Sequence, residues 1–267
     1  MPASAEAIPR PPSRAMGDRA FDILVWGGLA ALLIAGFHGA EIFRISDLFS
    51  GSAAMRQLAV QFVRPNFTDW RLYIANMWLT VQMAIWGTAL ALVIAVPLGL
   101  AGARNLTPPW IQQPARRVLD LLRSVPDLVI GAIFVVAVGL GPFAGVMALA
   151  VNTGGVLGKL FSEAVEAIEP GPVEGVRATG AGGAAQIVWG VMPQVAPLWT
   201  SYALYRFESN ARSATVLSLI GAGGIGQNLF DSINSFAFDQ TSAIVIVIVV
   251  AVTIIDLISQ IIRTRLI

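Results

Sequence analysis

Four polar side chains occupy alternate positions of one otherwise largely apolar stretch, and they are Arg206, Glu208, Asn210 and Arg212. An ionisable residue at membrane depth usually marks a transport pathway or a buried ion pair. Glu208 precedes Arg212 by four residues, the favourable spacing for an ion pair along a helix. Arg206 has only Glu208 and Asn210 within one turn, and its planar guanidinium can donate two parallel hydrogen bonds to the oxygens of an anion. The stretch predicts either a structural pair or a substrate pathway through all four residues, with Arg206 best suited to meet an anion.

Four glycines stand within six residues of each other just after this stretch, and they are Gly221, Gly223, Gly224 and Gly226. Their spacing satisfies the dinucleotide-binding fingerprint, which also requires a preceding strand, a following helix and an acidic residue about twenty positions on. Apolar segments surround the glycines, and the following acids, Asp231 and Asp239, come too early. We therefore interpret these glycines as sites of close helix approach or bending, a gate or hinge at membrane depth.

The composition places the chain in a lipid bilayer. The 267 residues are 56% hydrophobic and 12% charged, with a mean hydropathy of +0.72, which is outside the range of soluble globular proteins. A net charge of +1 gives no electrostatic basis for binding nucleic acid. With no cysteine and one histidine, His38, the chain offers neither a thiolate site nor a multi-histidine metal site. We expect no catalytic residues and no metal ligands.

Apolar segments of the length that crosses a bilayer predict an all-α integral membrane protein with about six transmembrane helices. They cover residues 23–40, 73–101, 126–140, 142–161, 189–207 and 241–262, with a less regular membrane-level segment at 208–230. The last segment is rich in Val and Ile, but its length favours a helix over a strand.

The chain divides into three parts by composition. Residues 1–20 carry four prolines and no apolar periodicity, and they predict a disordered cytoplasmic tail. Residues 21–72 predict a first transmembrane helix and an external amphipathic segment, whose apolar stripe is Met55, Leu58, Ala59, Phe62 and Val63. Residues 73–267 predict the main transmembrane domain.

Most Arg and Lys residues outside the predicted spans lie on one side of the membrane if both termini are cytoplasmic. The positive-inside rule favours that orientation, in a multi-pass protein of the cell (inner or plasma) membrane. It places residues 162–188 in the cytoplasm.

This cytoplasmic segment predicts two short helices outside the bilayer. The sequence Pro170-Gly-Pro172 stops the preceding helix, and Gly180 permits a turn with positive φ between a helix at 173–179 and one at 181–189. Val176 contributes to an apolar side that suits a groove on another protein. An ordinary helix-loop-helix connection is the alternative.

The spacing of Glu174, Gly180 and Pro193 resembles the "EAA" loop of binding-protein-dependent ABC importer permeases, E-A-A-x3-G-x9-I-x-L-P. The sequence departs from that pattern at four positions, which are Gly175, Val176, Gly190 and Met192. The resemblance implies the type I ABC importer permease fold with cytoplasmic coupling helices. It also implies a coupling loop at about 163–193, in which Glu174, Val176, Arg177, Gly180 and Pro193 contact an ATPase.

Residues 118–134, 163–180 and 205–229 resemble the phosphonate permease subgroup of this superfamily. The resemblance implies ATP-driven import of phosphonate or a related phosphorus oxyanion by a homodimer of this chain, a cytoplasmic ABC ATPase dimer and an external substrate-binding protein. The chain itself would carry no cofactor, and ATP and Mg²⁺ would bind to the partner ATPase.

Three alternatives to phosphonate import stay open on the sequence. The solute of such a permease could be phosphate, phosphite or another small molecule such as methionine. An ATP-independent, ion-coupled secondary transporter could instead use Arg206, Glu208 and Asp256, and a membrane-embedded hydrolase is the third alternative. Dependence on an ATPase discriminates an ABC permease, whatever its solute, from a secondary transporter.

Overall fold

A computed structural model describes residues 16–266, and within that range the regular secondary structure is entirely helical, with twelve α-helices joined by short connections. The helices are α1 (Met16–Gly39), α2 (Ile45–Ser50), α3 (Ser52–Phe62), α4 (Trp70–Gly102), α5 (Pro109–Ser124), α6 (Asp127–Val138), α7 (Pro142–Glu166), α8 (Pro170–Ala178), α9 (Gly183–Gln186), α10 (Met192–Leu217), α11 (Ile225–Asn234) and α12 (Phe238–Leu266). Short 3-10 helices occupy Ile42–Arg44 and Ser218–Ile220, and a π-helix occupies Ile187–Val191.

The chain separates into two compact units between Ala59 and Val60. The first unit contains α1, whose segment Phe21–Phe37 is apolar but shorter than a full span, together with α2 and most of α3. Most of the predicted tail, residues 1–15, lies outside the described residues, and α1 already begins at Met16. The predicted three-part division stays a prediction.

Within the described residues, three helices are long and apolar enough to cross a membrane: α4, α7 and α12. Helices α5 and α6 meet the same test only as a pair, and they are bent by 90° relative to each other. The span predicted at 126–140 is therefore only the 12-residue second half of a broken helix. The span predicted at 189–207 begins in the π-helix and continues through α10 to Leu217. Helix α10 is not one of the three helices that meet the membrane-span test, and it carries the charges of Arg206, Glu208 and Arg212.

Helix α7 lies at the centre of the second unit, and its glycines let two neighbours approach closely. A Cβ atom at Gly154 would lie 3.1 Å from the Cβ of Ile94 in α4, and one at Gly155 would lie 2.6 Å from the Cβ of Leu122 in α5. Without a hydrophobic force between helices in lipid, such small residues allow tight van der Waals contact. Near the end of α7, the Phe161 ring stacks on Trp199 of α10 at 4.2 Å.

The bend between α5 and α6 lies beside the middle of α7. The backbone is extended at Val125, and Pro126, which precedes the first residue of α6, cannot donate a hydrogen bond back to α5. The side-chain amide of Asn152 donates a hydrogen bond to the Val125 carbonyl at 3.0 Å. The polar backbone exposed by the break is therefore partly satisfied by α7.

Candidate functional site

The predicted coupling loop forms α8 and the four-residue α9, with Gly180 in the turn between them; the helix predicted at 181–189 is α9 followed by the π-helix that leads into α10. Gly180 adopts a φ of 81°, which side-chain-bearing residues rarely adopt, and its N–H bonds to the Arg177 carbonyl at 3.0 Å. The prolines at 170 and 172 form the first turn of α8 and do not end the preceding helix, which stops at Glu166. This corrects the predicted role of the prolines, because proline is favoured in a first helical turn, where the missing N–H has no partner to lose.

Gly190 explains one departure of this loop from the EAA pattern, in which isoleucine stands at that position. A Cβ atom at Gly190 would lie 2.9 Å from the Cα of Val173, so α8 packs directly on the π-helix backbone. Gln194 reinforces the contact, because its side chain accepts a hydrogen bond from the Glu169 N–H and donates to the carbonyls of Glu169 and Gly190. Helix α8 and the start of α10 are therefore joined at several points.

The outer surface of the loop combines acidic, basic and apolar side chains. Glu174, Arg177 and Pro193 are exposed, and Val176 is half-buried. Trp189 is 71% exposed, although sequence analysis did not single it out. Trp189 ends the short helix predicted at 181–189 and begins the span predicted at 189–207, and a tryptophan at that boundary was the available signal, because an exposed Trp is a frequent anchor of protein interfaces.

Among the described residues, the charges predicted at membrane depth separate into a paired group and one arginine outside any salt bridge. Arg212 bonds to Glu208 at 3.1 Å, as the four-residue spacing predicts, and also to Asp256 at 3.4 Å. Arg263 bonds to the other carboxylate oxygen of Glu208 at 3.4 Å. Among the described residues, no salt bridge includes Arg206, and its Nε lies buried without a hydrogen-bond partner.

Arg206 instead ends a chain of hydrogen bonds, called the polar chain below, which consists of Thr88, Asn210, Thr153 and Arg206. The Arg206 Nη2 donates to the Thr153 hydroxyl at 3.3 Å, and that hydroxyl donates to the Asn210 Oδ1 at 2.8 Å. The Asn210 amide donates to the Thr88 hydroxyl at 2.9 Å. The sequence grouped Asn210 with Arg206, whereas the contact of both residues with Thr153 depends on how α7 packs against α10.

A cavity of about 330 Å³ lies where the start of α6 faces the C-terminal end of α10. Its lining includes two charged residues and a serine, which are Asp127, Arg212 and Ser213. Asp127 was missed as a site residue by the sequence analysis. Its position directly after Pro126, within an apolar segment, was the only available signal.

The four glycines after α10 form a buried turn. Gly221, Gly223 and Gly224 all adopt positive φ values, and a Cβ atom at Gly224 would lie 2.5 Å from the Thr80 hydroxyl. A Cβ atom at Gly226 would collide with the Thr215 carbonyl oxygen. The turn follows a 3-10 helix and not a strand, so the dinucleotide-binding arrangement is absent there. Close packing at these glycines agrees with the sequence interpretation, and their gate or hinge role stays a prediction.

Carboxylate and histidine side chains do not gather into a metal centre in the part of the chain that the structure describes, since it contains no group of three or more such ligands.

The chain is similar to known transport proteins. Residues 95–267 match the family described as "Binding-protein-dependent transport system inner membrane component". The chain is also 40% identical, over 219 residues, to the phosphite transport system permease protein PtxC of Stutzerimonas stutzeri, a match that covers 82% of this chain and 80% of the relative.

A shorter relative and a solved structure agree with this match. The chain is 58% identical over 121 residues to PhnE2 of Escherichia coli (strain K12), which is named for a cryptic phosphonate transport system permease; the match covers 45% of this chain and 99% of the relative. An inward-facing structure of the MetNI methionine ABC transporter superposes with a TM-score of 0.66 at 19% identity, covering 76% of this chain and 99% of that one, so the two share a fold. The chain belongs to the family of binding-protein-dependent transport system inner membrane components.

Proposed function

We propose that this chain is the permease subunit of an ATP-driven importer for a phosphorus oxyanion, phosphonate or phosphite. The observation that carries the proposal is the 40% identity to a phosphite permease across most of both chains. The relative named for phosphonate transport supports the same class of solute. The two solutes share a tetrahedral phosphorus with negatively charged oxygens, so one pathway chemistry suits both.

Arg206 is the residue that we propose to meet the anion. The paired group of Arg212, Arg263, Glu208 and Asp256 balances its own charges, whereas Arg206 has no carboxylate within salt-bridge distance among the described residues. A guanidinium donates two parallel hydrogen bonds to phosphate-like oxygens. Thr153, which Arg206 contacts, directly follows Asn152, the residue that holds the α5–α6 bend. Broken helices near the bilayer midplane commonly form the substrate sites of transporters.

The coupling loop is the part that we propose to contact a cytoplasmic ABC ATPase. Exposed Glu174 and Trp189 offer a charge and an apolar anchor, and the contact of Val173 with Gly190 connects α8 to α10. ATP and Mg²⁺ would bind only to that ATPase, and this chain would hold no cofactor. Two copies of the chain, two ATPase subunits and one external binding protein would make the importer, with both chain termini in the cytoplasm.

The experiment that tests this function uses the chain co-purified with its ATPase, reconstituted into proteoliposomes, with the binding protein added on the substrate side. We expect ATP-dependent uptake of phosphite or methylphosphonate and stimulation of ATP hydrolysis by the loaded binding protein. Methionine serves as the control solute, because the methionine transporter shares only the fold. Uptake that persists without ATP, or uptake of methionine alone, would overturn the proposal.

A further inference from the structure

The polar chain crosses three helices and ends at a single arginine. Thr88 lies on α4, Thr153 on α7, and both Asn210 and Arg206 on α10. Thr88, Thr153 and Asn210 are all buried, with Asn210 fully so. Hydrogen bonds among buried groups are strengthened by the low local dielectric, and such chains fix side-chain orientation.

The hydrogen bond of Thr88, the first residue of the polar chain, determines which group donates and which accepts in each of the other hydrogen bonds. The Thr88 hydroxyl donates to the Ala84 carbonyl at 2.7 Å, so it can only accept from the Asn210 amide. The side-chain oxygen of Asn210, Oδ1, then accepts a hydrogen bond from the Thr153 hydroxyl. Because the single Thr153 proton is used on Asn210, the Thr153 oxygen faces Arg206 as an acceptor only.

This direction determines what Arg206 can do. Because the Thr153 hydroxyl donates its proton to Asn210, it cannot also donate to an anion. Its oxygen can still accept a hydrogen bond from one N–H of the Arg206 guanidinium. A guanidinium has five N–H donors, so holding one of them leaves others for a ligand. The hydrogen bond from the Arg206 Nη2 to Thr153 therefore restricts the rotation of the guanidinium and leaves its other N–H donors free to bind a ligand.

We infer that Thr153 is a positioning residue, held in place by Asn210 and Thr88, which orients the guanidinium of Arg206 toward the transported anion. The inference rests on the proposed function, since it assigns a role in anion transport to residues around Arg206. Thr153 does not itself contact the anion, and it acts through Arg206. The hydroxyl is the required group, so serine suffices at this position and valine does not.

The test measures anions transported per ATP hydrolysed, using the reconstituted complex with phosphite as the probe and the loaded binding protein present. A smaller folded fraction lowers transport and hydrolysis equally, so this ratio does not report a merely structural defect. We expect Thr153→Val to lower the ratio about threefold, the effect of one lost hydrogen bond. Thr153→Ser restores the wild-type ratio, and Arg206→Ala lowers it further than Thr153→Val.

A matched control is Thr253→Val. Thr253 lies on α12 and is exposed, and among the described residues its hydroxyl bonds only to the Val249 carbonyl. We expect this variant to keep the wild-type ratio. If Thr153→Val fails to assemble, Thr88→Val tests the same chain one hydrogen bond further from Arg206, again with Thr88→Ser as the restoring variant.

The outcomes separate the inference from the function on which it rests. A wild-type complex that moves no phosphite, methylphosphonate or phosphate overturns both. A wild-type complex that transports, with Arg206→Ala impaired but Thr153→Val and Thr88→Val unchanged, overturns the positioning role alone. A Thr153→Ser ratio as low as that of valine also overturns it, because the hydroxyl would then not be the determining group.

Discussion

The coupling loop and the polar chain are both built around α10, yet they are stabilised in opposite ways. In the loop, backbone geometry dominates: Gly180 supplies a positive φ and Gly190 a close backbone contact, while the charged side chains remain exposed. In the polar chain, buried side chains form almost every contact. A surface kept open for a partner needs few internal bonds, whereas buried polar groups are costly unless they are hydrogen-bonded, and in the polar chain the Arg206 Nε is left without a partner within the described part of the protein.

The largest effect is expected where the loop meets its proposed partner. The double variant Glu174→Ala, Gly180→Asp removes an exposed charge and places a side chain at a φ of 81°, so we expect ATP-driven uptake to be abolished with membrane insertion intact. Uptake of phosphite in proteoliposomes is the measurement. Gly175→Ala, which introduces the residue of the EAA pattern at an exposed position with open space around it, should transport normally. Wild-type uptake by the double variant would contradict the coupling role.

The second-largest effect is expected in the polar chain, at Arg206. Arg206→Ala removes a guanidinium that has no carboxylate within salt-bridge distance among the described residues, so we expect uptake of an anionic solute to fall by about tenfold or more. Assembly with the ATPase should persist, as measured by size-exclusion chromatography in detergent. Unchanged uptake kinetics would remove Arg206 from the pathway.

A third variant tests whether backbone contact stabilises the loop. Gly190→Ile introduces the residue of the EAA pattern, but its Cβ would lie 2.9 Å from the Cα of Val173. We expect the free energy of unfolding to fall by about 1 to 3 kcal/mol, the usual range for overpacking. Thermal unfolding of the detergent-solubilised complex is the measurement, and Gly182→Ala, with no neighbouring atom in its way, is the control. Equal melting temperatures for both variants would show that α8 can move away from the π-helix at no cost.

The smallest effect is expected at the paired charges. Arg212 is about half exposed in its contacts with Glu208 and Asp256, so Arg212→Ala should lower the free energy of unfolding by less than about 1 kcal/mol. The comparison of interest is with Arg206→Ala, measured in the same unfolding and uptake assays. If Arg212→Ala slows uptake as much as Arg206→Ala does, the division into a paired group and a transport residue is wrong.

The sequence predicted those features that depend on local chemistry. Glycine spacing predicted the turn at Gly180 next to a short helix, and apolar length predicted α4, α7 and α12. The hydrogen bonds of the polar chain join residues 57 and 122 positions apart, so they depend on how three helices pack. The α5–α6 bend was predicted only as a helix start, because Pro126 indicates a break without giving its angle or the neighbouring helix.

The position of that bend has an electrical consequence. Beside the middle of α7, a solute at the break would have crossed roughly half of the membrane voltage. Moving one elementary charge through 100 mV changes the free energy by about 2.3 kcal/mol, so an imported dianion works against roughly twice that amount in a cell with a negative interior. The rate of solute entry to such a site and the rate of its release would then each depend on the membrane voltage. The share of the voltage dependence that falls on each step would indicate how deep in the membrane the site lies.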